Sequence, residues 1–399
     1  MELTMKEKQR IEVIQGVLSG RLTVAQATGL LVRCERTVFR MCSRLETDGL
    51  EGLVHGNKGI VSPRRTPETT RAQIVELVRG KYADINDTHL TELLAKHEKV
   101  KIGRETLRHL LRGAGLQPKR KRRSPKYRSR RERKEAFGMM LQLDASPHDW
   151  LQWRGPWLTL VGAIDDATNF RWAHFVPTET TWSYLDLMRD IITTEGLPLS
   201  LYADKHSIFR VAREPTLVEQ LRGEEPLTQF GRAMDELGTT IISAHSPQAK
   251  GRIERQWNFL QDRLVVELRL ANATTIDEAN AVLRRILDDY NIQFSVLPRQ
   301  TVSVFRKAPG ATELSQILCL KDQRVVNKDH TISFQGLVLQ IPPSKHFHSI
   351  AGRKVDVLQH RDGAVEILYR ERSVARFSPP AVTRLLAKQP NLKTDLKAA

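Results

Sequence analysis

Leu141-Gln-Leu-Asp144 and, beyond a loop, Trp157-Leu-Thr-Leu-Val-Gly-Ala-Ile-Asp165 are the stretches whose reading decides the fold. Each is a short apolar run that ends on an aspartate, and each reads as a strand, over Gly138–Asp144 and Trp157–Asp165. Working outward, Arg171–Phe175, Pro198–Asp204 and Thr239–Ala244 read as three more strands. A helix over Thr181–Glu195 separates the third strand from the fourth, and another over Arg252–Leu268 follows the fifth. Strands in succession, then helix alternating with strand, predict an α/β layer fold with a mixed sheet. All 6 tryptophans (Trp150, Trp153, Trp157, Trp172, Trp182 and Trp257) fall in this region, so the largest core is expected here.

The chain has 399 residues, room for several domains, and its 40% hydrophobic and 27% charged residues describe a globular protein. Its longest apolar run, Trp157 to Ile164, is far too short to cross a bilayer, and the start lacks the order of a secretory signal. The 3 cysteines (Cys34, Cys42, Cys319) form no CxxC and cannot all pair, which points to a reducing cytoplasm and no disulfide framework. Lys plus Arg outnumber Asp plus Glu by 63 to 46, for a net charge of +17. Nucleic acid is the expected partner of such a chain, with the ribosome or an anionic membrane as the competing reading. Much of the excess sits between Lys119 and Lys134, where Glu132 is the sole acid. Pro118 and Pro125 argue against one unbroken helix through this stretch. The segment reads as an extended linker whose charges repel unless phosphates neutralise them, and Arg120, Lys121, Arg122 and Arg123 are its candidate DNA contacts.

Before the linker the spacing predicts two helical units. In the first, Lys6–Ser19, Thr23–Leu30 (capped by Thr23) and Glu35–Asp48 (closed by Gly49) have helix-turn-helix arithmetic. The third helix should set Val38, Phe39, Cys42 and Leu45 inward and leave Arg36, Arg40 and Arg44 as a basic stripe for a DNA groove. The second unit repeats the plan: Pro67–Lys81 with proline at its first position, Asp87–His97 and Arg104–Arg112, with Arg104, Arg108 and Arg112 on one face. His89, His97 and His109 have no cysteine partners and read as surface or capping residues. Toward the other end, a helical stretch (Thr275–Gln293) and a Pro298–Pro309 connector lead into short strands. These are Arg324–Asn327, Thr331–Phe334, Leu337–Ile341, Lys354–His360, Ala364–Tyr369 and Ser373–Phe377, which a small barrel would close. The expected domains are therefore 1–58 and 59–117 (helix-turn-helix), 118–136 (basic linker), 137–310 (α/β), 311–380 (β-barrel) and 381–399 (basic tail).

Three acids stand where strand ends and helix starts meet at one rim of such a sheet: Asp144, Asp204 and Glu254. Converging carboxylates are hard oxygen ligands suited to Mg²⁺, which completes its shell with water and phosphate. A pair of such ions can activate an attacking oxygen and stabilise a leaving one. Taken singly, each acid could equally be an ordinary cap. Lys205, His206, Lys250 and Arg252 would bring positive charge or hydrogen bonds to the same place, or serve as surface ion pairs.

The motifs around these acids sharpen the reading. Leu141-Gln-Leu-Asp144, Val161-Gly-Ala-Ile-Asp165-Asp-Ala-Thr168 and His245-Ser-Pro-Gln-Ala-Lys-Gly-Arg-Ile-Glu254-Arg resemble the DDE transposases and retroviral-type integrases, whose catalytic domain is ribonuclease H-like. Pro147-His-Asp-Trp, Gly155-Pro-Trp-Leu-Thr-Leu-Val-Gly and Leu201-Tyr-Ala-Asp-Lys-His-Ser-Ile-Phe resemble the ISNCY family of bacterial insertion-sequence transposases. The resemblance implies that Asp144, Asp204 and Glu254 are the catalytic, metal-holding triad, with two Mg²⁺ ions that Mn²⁺ can replace. It also implies double-stranded DNA as partner, both the element's terminal inverted repeats and the target, and a homodimer or higher oligomer on DNA. The implied location is the bacterial cytoplasm, at the nucleoid, with no membrane partner. Asp204 and Glu254 lie farther apart than in the retroviral-type pattern, which marks Ile208–Gly231 as an insertion. Asp165 and Asp166 are the rival carboxylates, and read mainly as turn or sheet-end residues beside the triad. Two other classes compete: a catalytically inactive DNA-binding regulator, against which all three acids count, and a tyrosine recombinase, for which Tyr290 and Tyr369 lack the Arg/His setting.

Overall fold

The computed structural model describes residues 3–59, 65–120, 124, 127, 131–223, 225–243, 251–343 and 347–379. Lys121, Arg122, Arg123, His245, Lys250 and the tail 381–399 lie outside the described residues. The chain divides into two compact units, Met1–Ala83 and Asp84–Ala399.

The first unit contains α1 (Met5–Leu18), α2 (Val24–Leu31), α3 (Glu35–Asp48), a 3-10 turn (Gly49–Leu53) and α4 (Glu68–Arg79). Thr4 and Thr23 each close a capping box, with Glu7 and Gln26, which satisfies otherwise orphaned amides at both helix starts. Ile11, Val13, Ile14, Ala27, Val38, Cys42 and Leu53 make the core of α1 to α3. Phe39 is a correction: it is 58% exposed, and Met41 packs in its stead. Residue 39 lies about 100° around the helix from Val38, outside the stripe that 38, 41, 42 and 45 share. Arg36, Arg40 and Arg44 are exposed on the side away from that stripe. Pro67 is also corrected, since its extended ψ of 146° makes it the cap and the helix begins at Glu68.

The second unit opens with α5 (Asp87–His97) and α6 (Arg104–Gly113). Five strands follow: β1 (Leu141–His148), β2 (Leu158–Asp165), β3 (Arg171–Val176), β4 (Ser200–Ala203) and β5 (Thr240–Ser243). Their order in the sheet is β3-β2-β1-β4-β5, antiparallel among the first three and parallel from β1 to β5. The sheet is mixed, as the sequence predicts. Around it lie α7 (Thr181–Thr194), α8 (Leu217–Arg222), α9 (Gln229–Glu236), α10 (Gly251–Leu270), α11 (Ile276–Phe294) and α12 (Ala311–Ile317).

Both faces of the sheet are covered, which is why β2 reads as an unbroken apolar run. Val161 and Ala163 point into a core with Leu185 and Met188 of α7 and Phe230 and Met234 of α9. Leu158, Leu160 and Ile164 alternate to the other side, against Trp257, Leu260 and Leu264 of α10 and Leu283 and Ile286 of α11. The stretch 208–231 is more than a surface insertion. It carries α8 and the start of α9, and its Phe209 and Phe230 rings pack edge to face at 5.3 Å inside the first core. Leu314 and Leu318 around α12 belong to that same core.

α5 lies against α10 through polar groups. His89 is a correction to its surface reading, because it is 1% exposed and bonds Glu267 at 3.2 Å. Glu92 pairs with Arg263, Lys96 with Asp289 at 3.0 Å, and Lys119 with Asp262 at 2.9 Å. No sequence period reports such a seam, since its members alternate with solvent-facing residues of the same polarity.

Six more strands follow: β6 (Leu320–Val325), β7 (Thr331–Phe334), β8 (Leu337–Gln340), β9 (Lys354–Gln359), β10 (Val365–Tyr369) and β11 (Arg372–Phe377). They form a sheet ordered β11-β10-β9-β6 and a hairpin of β7 with β8, sharing a core that includes Ile332, Leu339, Val357 and Ile367. β6 starts earlier than Arg324 because it is an edge strand paired to β9 from Leu320, where charged residues are tolerated and hide the pattern. No helix among the described residues is long and apolar enough to cross a membrane.

The start of α1 supplies a pH test. The Lys58 ammonium, 2.6 Å away, and the bonds from Thr4 hold the Glu7 carboxyl down at about 2, against an ordinary 4.5. A depressed pKa contributes stability above 4.5 that is lost as pH falls toward 2. Glu7→Gln should lower the melting temperature of the first unit at neutral pH, and the difference from wild type should vanish over that window.

Candidate active site

The site is built from one row of β1 and one side of α10. Leu141 and Leu143 face the α7 core, so Gln142, Asp144 and Ser146 face the other way. Trp257 Nε1 donates to Asp144 Oδ2 at 2.8 Å, and Gln261 Nε2 donates to Ser146 Oγ at 3.0 Å. Two strand residues advance about 6.6 Å and four helix residues about 6 Å, so helix and strand stay in step. Gly162 makes the close approach possible. It is the β2 partner of Asp144, and a Cβ there would meet Trp257 Cη2 at 2.9 Å and the Trp172 carbonyl oxygen at 3.0 Å.

The second acid arrives through strand register. Leu141 and Gln142 of β1 pair with Leu201 and Tyr202 of β4, so Asp144 and Asp204 each stand two residues beyond the paired Gln142 and Tyr202. Asp204 lies at the end of its strand and accepts the His206 amide at 3.0 Å, while Lys205 and His206 are exposed. The charges of Asp144 and Asp204 both act on the Tyr184 phenol, whose pKa burial drives upward first of all. Glu254 stands in the first turn of α10, exposed, three residues before Trp257 and hence on a neighbouring side of the helix. Among the described residues no group of three His, Cys, Asp or Glu side chains is close enough to hold a metal ion.

Asp165 and Asp166 are both fully buried. Asp165 accepts the Gly138 amide at 3.0 Å and both the amide and hydroxyl of Thr168 at 2.8 Å, and burial raises its pKa. Asp166 gathers more. It accepts the Lys134 amide at 2.8 Å and Gln142 Nε2 at 2.7 Å, and it pairs with the guanidiniums of Arg131 and Arg252.

That cluster changes the reading of several cations. Arg252 is held by Asp166 and by the Arg131 carbonyl at 2.7 Å. Arg131 and Arg133 at the end of the basic segment bond Asp166, the Ala167 carbonyl at 3.1 Å and Asn169 at 2.9 Å, so this end is anchored on protein. Burial, then the neighbouring Arg252, lowers the Arg133 pKa. Arg112 reaches Asp87 at 2.6 Å and the Leu116 carbonyl, while Arg104 and Arg108 are over half exposed and both pair with Glu105 at 2.9 Å. Arg120 is exposed. The sequence reading missed Trp257, Gly162 and the role of Asp166. A glycine interrupting the apolar run of β2, and a tryptophan three residues after Glu254, were the available signals.

With this geometry in hand, two curated proteins are similar along most of the chain. One is y4bF of Sinorhizobium fredii, named as a transposase, 34% identical over 93% of this chain and 80% of its own length. The other is the transposase for insertion sequence IS1202 of Streptococcus pneumoniae, 30% identical over 90% of this chain and 84% of that protein. No family model matches. Among solved structures, the catalytic core of BIV integrase is 21% identical and covers 38% of this chain and 81% of its own, with a TM-score of 0.26. The chain belongs to the transposase family that the two curated relatives represent.

The packing around Asp144 yields a stability prediction. Gly162→Val should destabilise the protein by about 1–3 kcal/mol, since the added carbons meet an indole and a backbone carbonyl. Trp257→Phe keeps the apolar contact and loses one hydrogen bond to a carboxylate, for about 1.5–3 kcal/mol. Urea denaturation measures both.

Proposed function

We propose that this protein is a DNA transposase in which Asp144, Asp204 and Glu254 form one catalytic, metal-holding site. What supports the reading is the parallel register of β1 with β4, which if continued two residues would bring Asp204 level with Asp144, together with the tie of α10 to Asp144 through Trp257. The donor set suits the group in its chemistry: hard carboxylate oxygens are what Mg²⁺ takes when phosphate completes its shell. When bound, Mg²⁺ ions, or Mn²⁺ in their place, supply charge neutralisation at the phosphoryl oxygens and a more acidic nucleophile.

The chain's own residues do the rest. Asp144 and Asp204 present fixed negative charge at the reacting phosphate's side of the sheet, and Trp257 holds Asp144 in one orientation. Lys205 and Lys250 contribute positive charge for the DNA strand. No protein nucleophile is required. Water attacks at the element end and frees a 3′-hydroxyl, which then attacks a target phosphodiester by transesterification. Helix-turn-helix units over 1–58 and 59–117 bind the terminal inverted repeats, with Arg36, Arg40, Arg44, Arg104 and Arg108 toward DNA. The linker 118–136, through Arg120, Lys121, Arg122 and Arg123, neutralises phosphates. The α/β domain over 137–310 carries the chemistry, and a small barrel over 311–380 with the tail bridges to DNA or to a second protomer, because two ends must be joined together.

The test uses purified protein, labelled element-end duplex and Mg²⁺. Asp144→Asn, Asp204→Asn and Glu254→Gln should each lower nicking and joining by about two to three orders of magnitude, with end binding retained. A variant that keeps wild-type joining removes its residue from the site. Wild-type protein that binds ends without nicking them would instead be the inactive regulator. Arg40→Ala or Arg44→Ala should weaken binding to the element end by about 1–3 kcal/mol and to random duplex by less, if α3 reads base edges. Equal losses on both duplexes would reassign the stripe to phosphate contact.

A further inference from the structure

We propose that Asp166 is a positioning residue for Glu254, an assignment that rests on reading Glu254 as one of the three acids. Asp166 is fully buried, yet it receives side chains or amides from three places: Gln142 on β1, Arg131 and Lys134 at the end of the basic segment, and Arg252 on α10. Gln142 is the residue two before Asp144 on the same side of β1, and Arg252 is two before Glu254. One carboxylate therefore ties the strand of the first acid to the helix of the third.

The geometry explains what the tie does. Arg252 has both of its terminal nitrogens engaged, one on Asp166 and the other on the Arg131 carbonyl at 2.7 Å. Five residues on, Trp257 is fixed to Asp144 at 2.8 Å. Residues 252 and 257 lie about 140° apart around the helix, so the two attachments fix its rotation as well as its position along the axis. Glu254 lies between them and is exposed. Its direction is set by its neighbours. The charge count is also consistent, because Asp166 is the carboxylate that both Arg131 and Arg252 bond. Removing its charge leaves both guanidiniums without that carboxylate partner.

Asp165 provides an internal control. It is equally buried and next in sequence, but its bonds go to Gly138 and Thr168 and none to α10. Asp165→Asn and Asp166→Asn should both reduce thermal stability. Asp166→Asn alone should weaken Mn²⁺ binding, read by electron paramagnetic resonance without DNA, by about tenfold, and lower kcat for nicking by about tenfold or more while KM for DNA stays within about twofold. It should also speed amide exchange at Arg255, Gln256 and Trp257, near the start of α10. Arg252→Gln should reproduce these effects, and the double variant should be no worse than either single one, as expected of residues acting through one contact. Should Asp166→Asn fail to fold, Arg252→Gln and the conservative Arg252→Lys carry the same readouts. The assignment is overturned if Asp166→Asn and Asp165→Asn change Mn²⁺ affinity equally, or if Arg252→Gln leaves affinity and exchange unchanged. A wild-type protein that nicks no DNA would instead remove the reading of the site, and the Mn²⁺ affinities and exchange rates would still decide the role of Asp166.

Discussion

The placement of α10 along β1 is the constraint on which the candidate site depends. A helix on a sheet is normally held by apolar side chains alone, which fix its distance but allow it to slide and rotate at modest cost. Here the apolar contact of Trp257, Leu260 and Leu264 is supplemented by a polar row, Asp144 to Trp257 and Ser146 to Gln261. Hydrogen bonds are directional, so they select one register where dispersion would accept several. Gly162 makes room for the indole, since a Cβ there would lie 2.9 Å from it.

The same arrangement shows why so much of the fold was legible. Five strands and the principal helices of the α/β region follow from apolar runs and their period, since a sheet covered on both faces leaves β2 no exposed position. Asp204 was legible because its strand ends in a change of polarity; Asp144, read as the end of a strand over 138–144, is a correction, since β1 runs on to His148 and places it mid-strand. Which strands pair, and in what register, was not legible, because no local period encodes that. Asp166 is harder still. Its partners at 131, 134, 142 and 252 are scattered along the sequence, and nothing near it differs from an ordinary turn. α12 was missed because seven residues are too few to establish a period, and the edge strand β6 because its residues are charged.

Charge on this chain has two uses that composition alone does not separate. Arg36, Arg40 and Arg44 of α3 are exposed and suited to an anionic partner. Arg252, Arg131, Arg263 and Arg112 are instead paired with Asp166, Glu92 and Asp87 inside the fold. A guanidinium paired with a shielded carboxylate loses more on deletion than a surface pair does, because the partner is left uncompensated. Substitutions at the second group should therefore act through structure before they act through DNA affinity.

The most direct measurement of the central claim is crystallographic. Crystals grown with Mn²⁺ locate the ion by its anomalous scattering, independently of any assay. The account predicts a peak between the carboxylates of Asp144 and Asp204, at about 2.0–2.4 Å from an oxygen of each, with Glu254 drawn toward it. Mn²⁺ found at other acids, with none between Asp144 and Asp204, would contradict it.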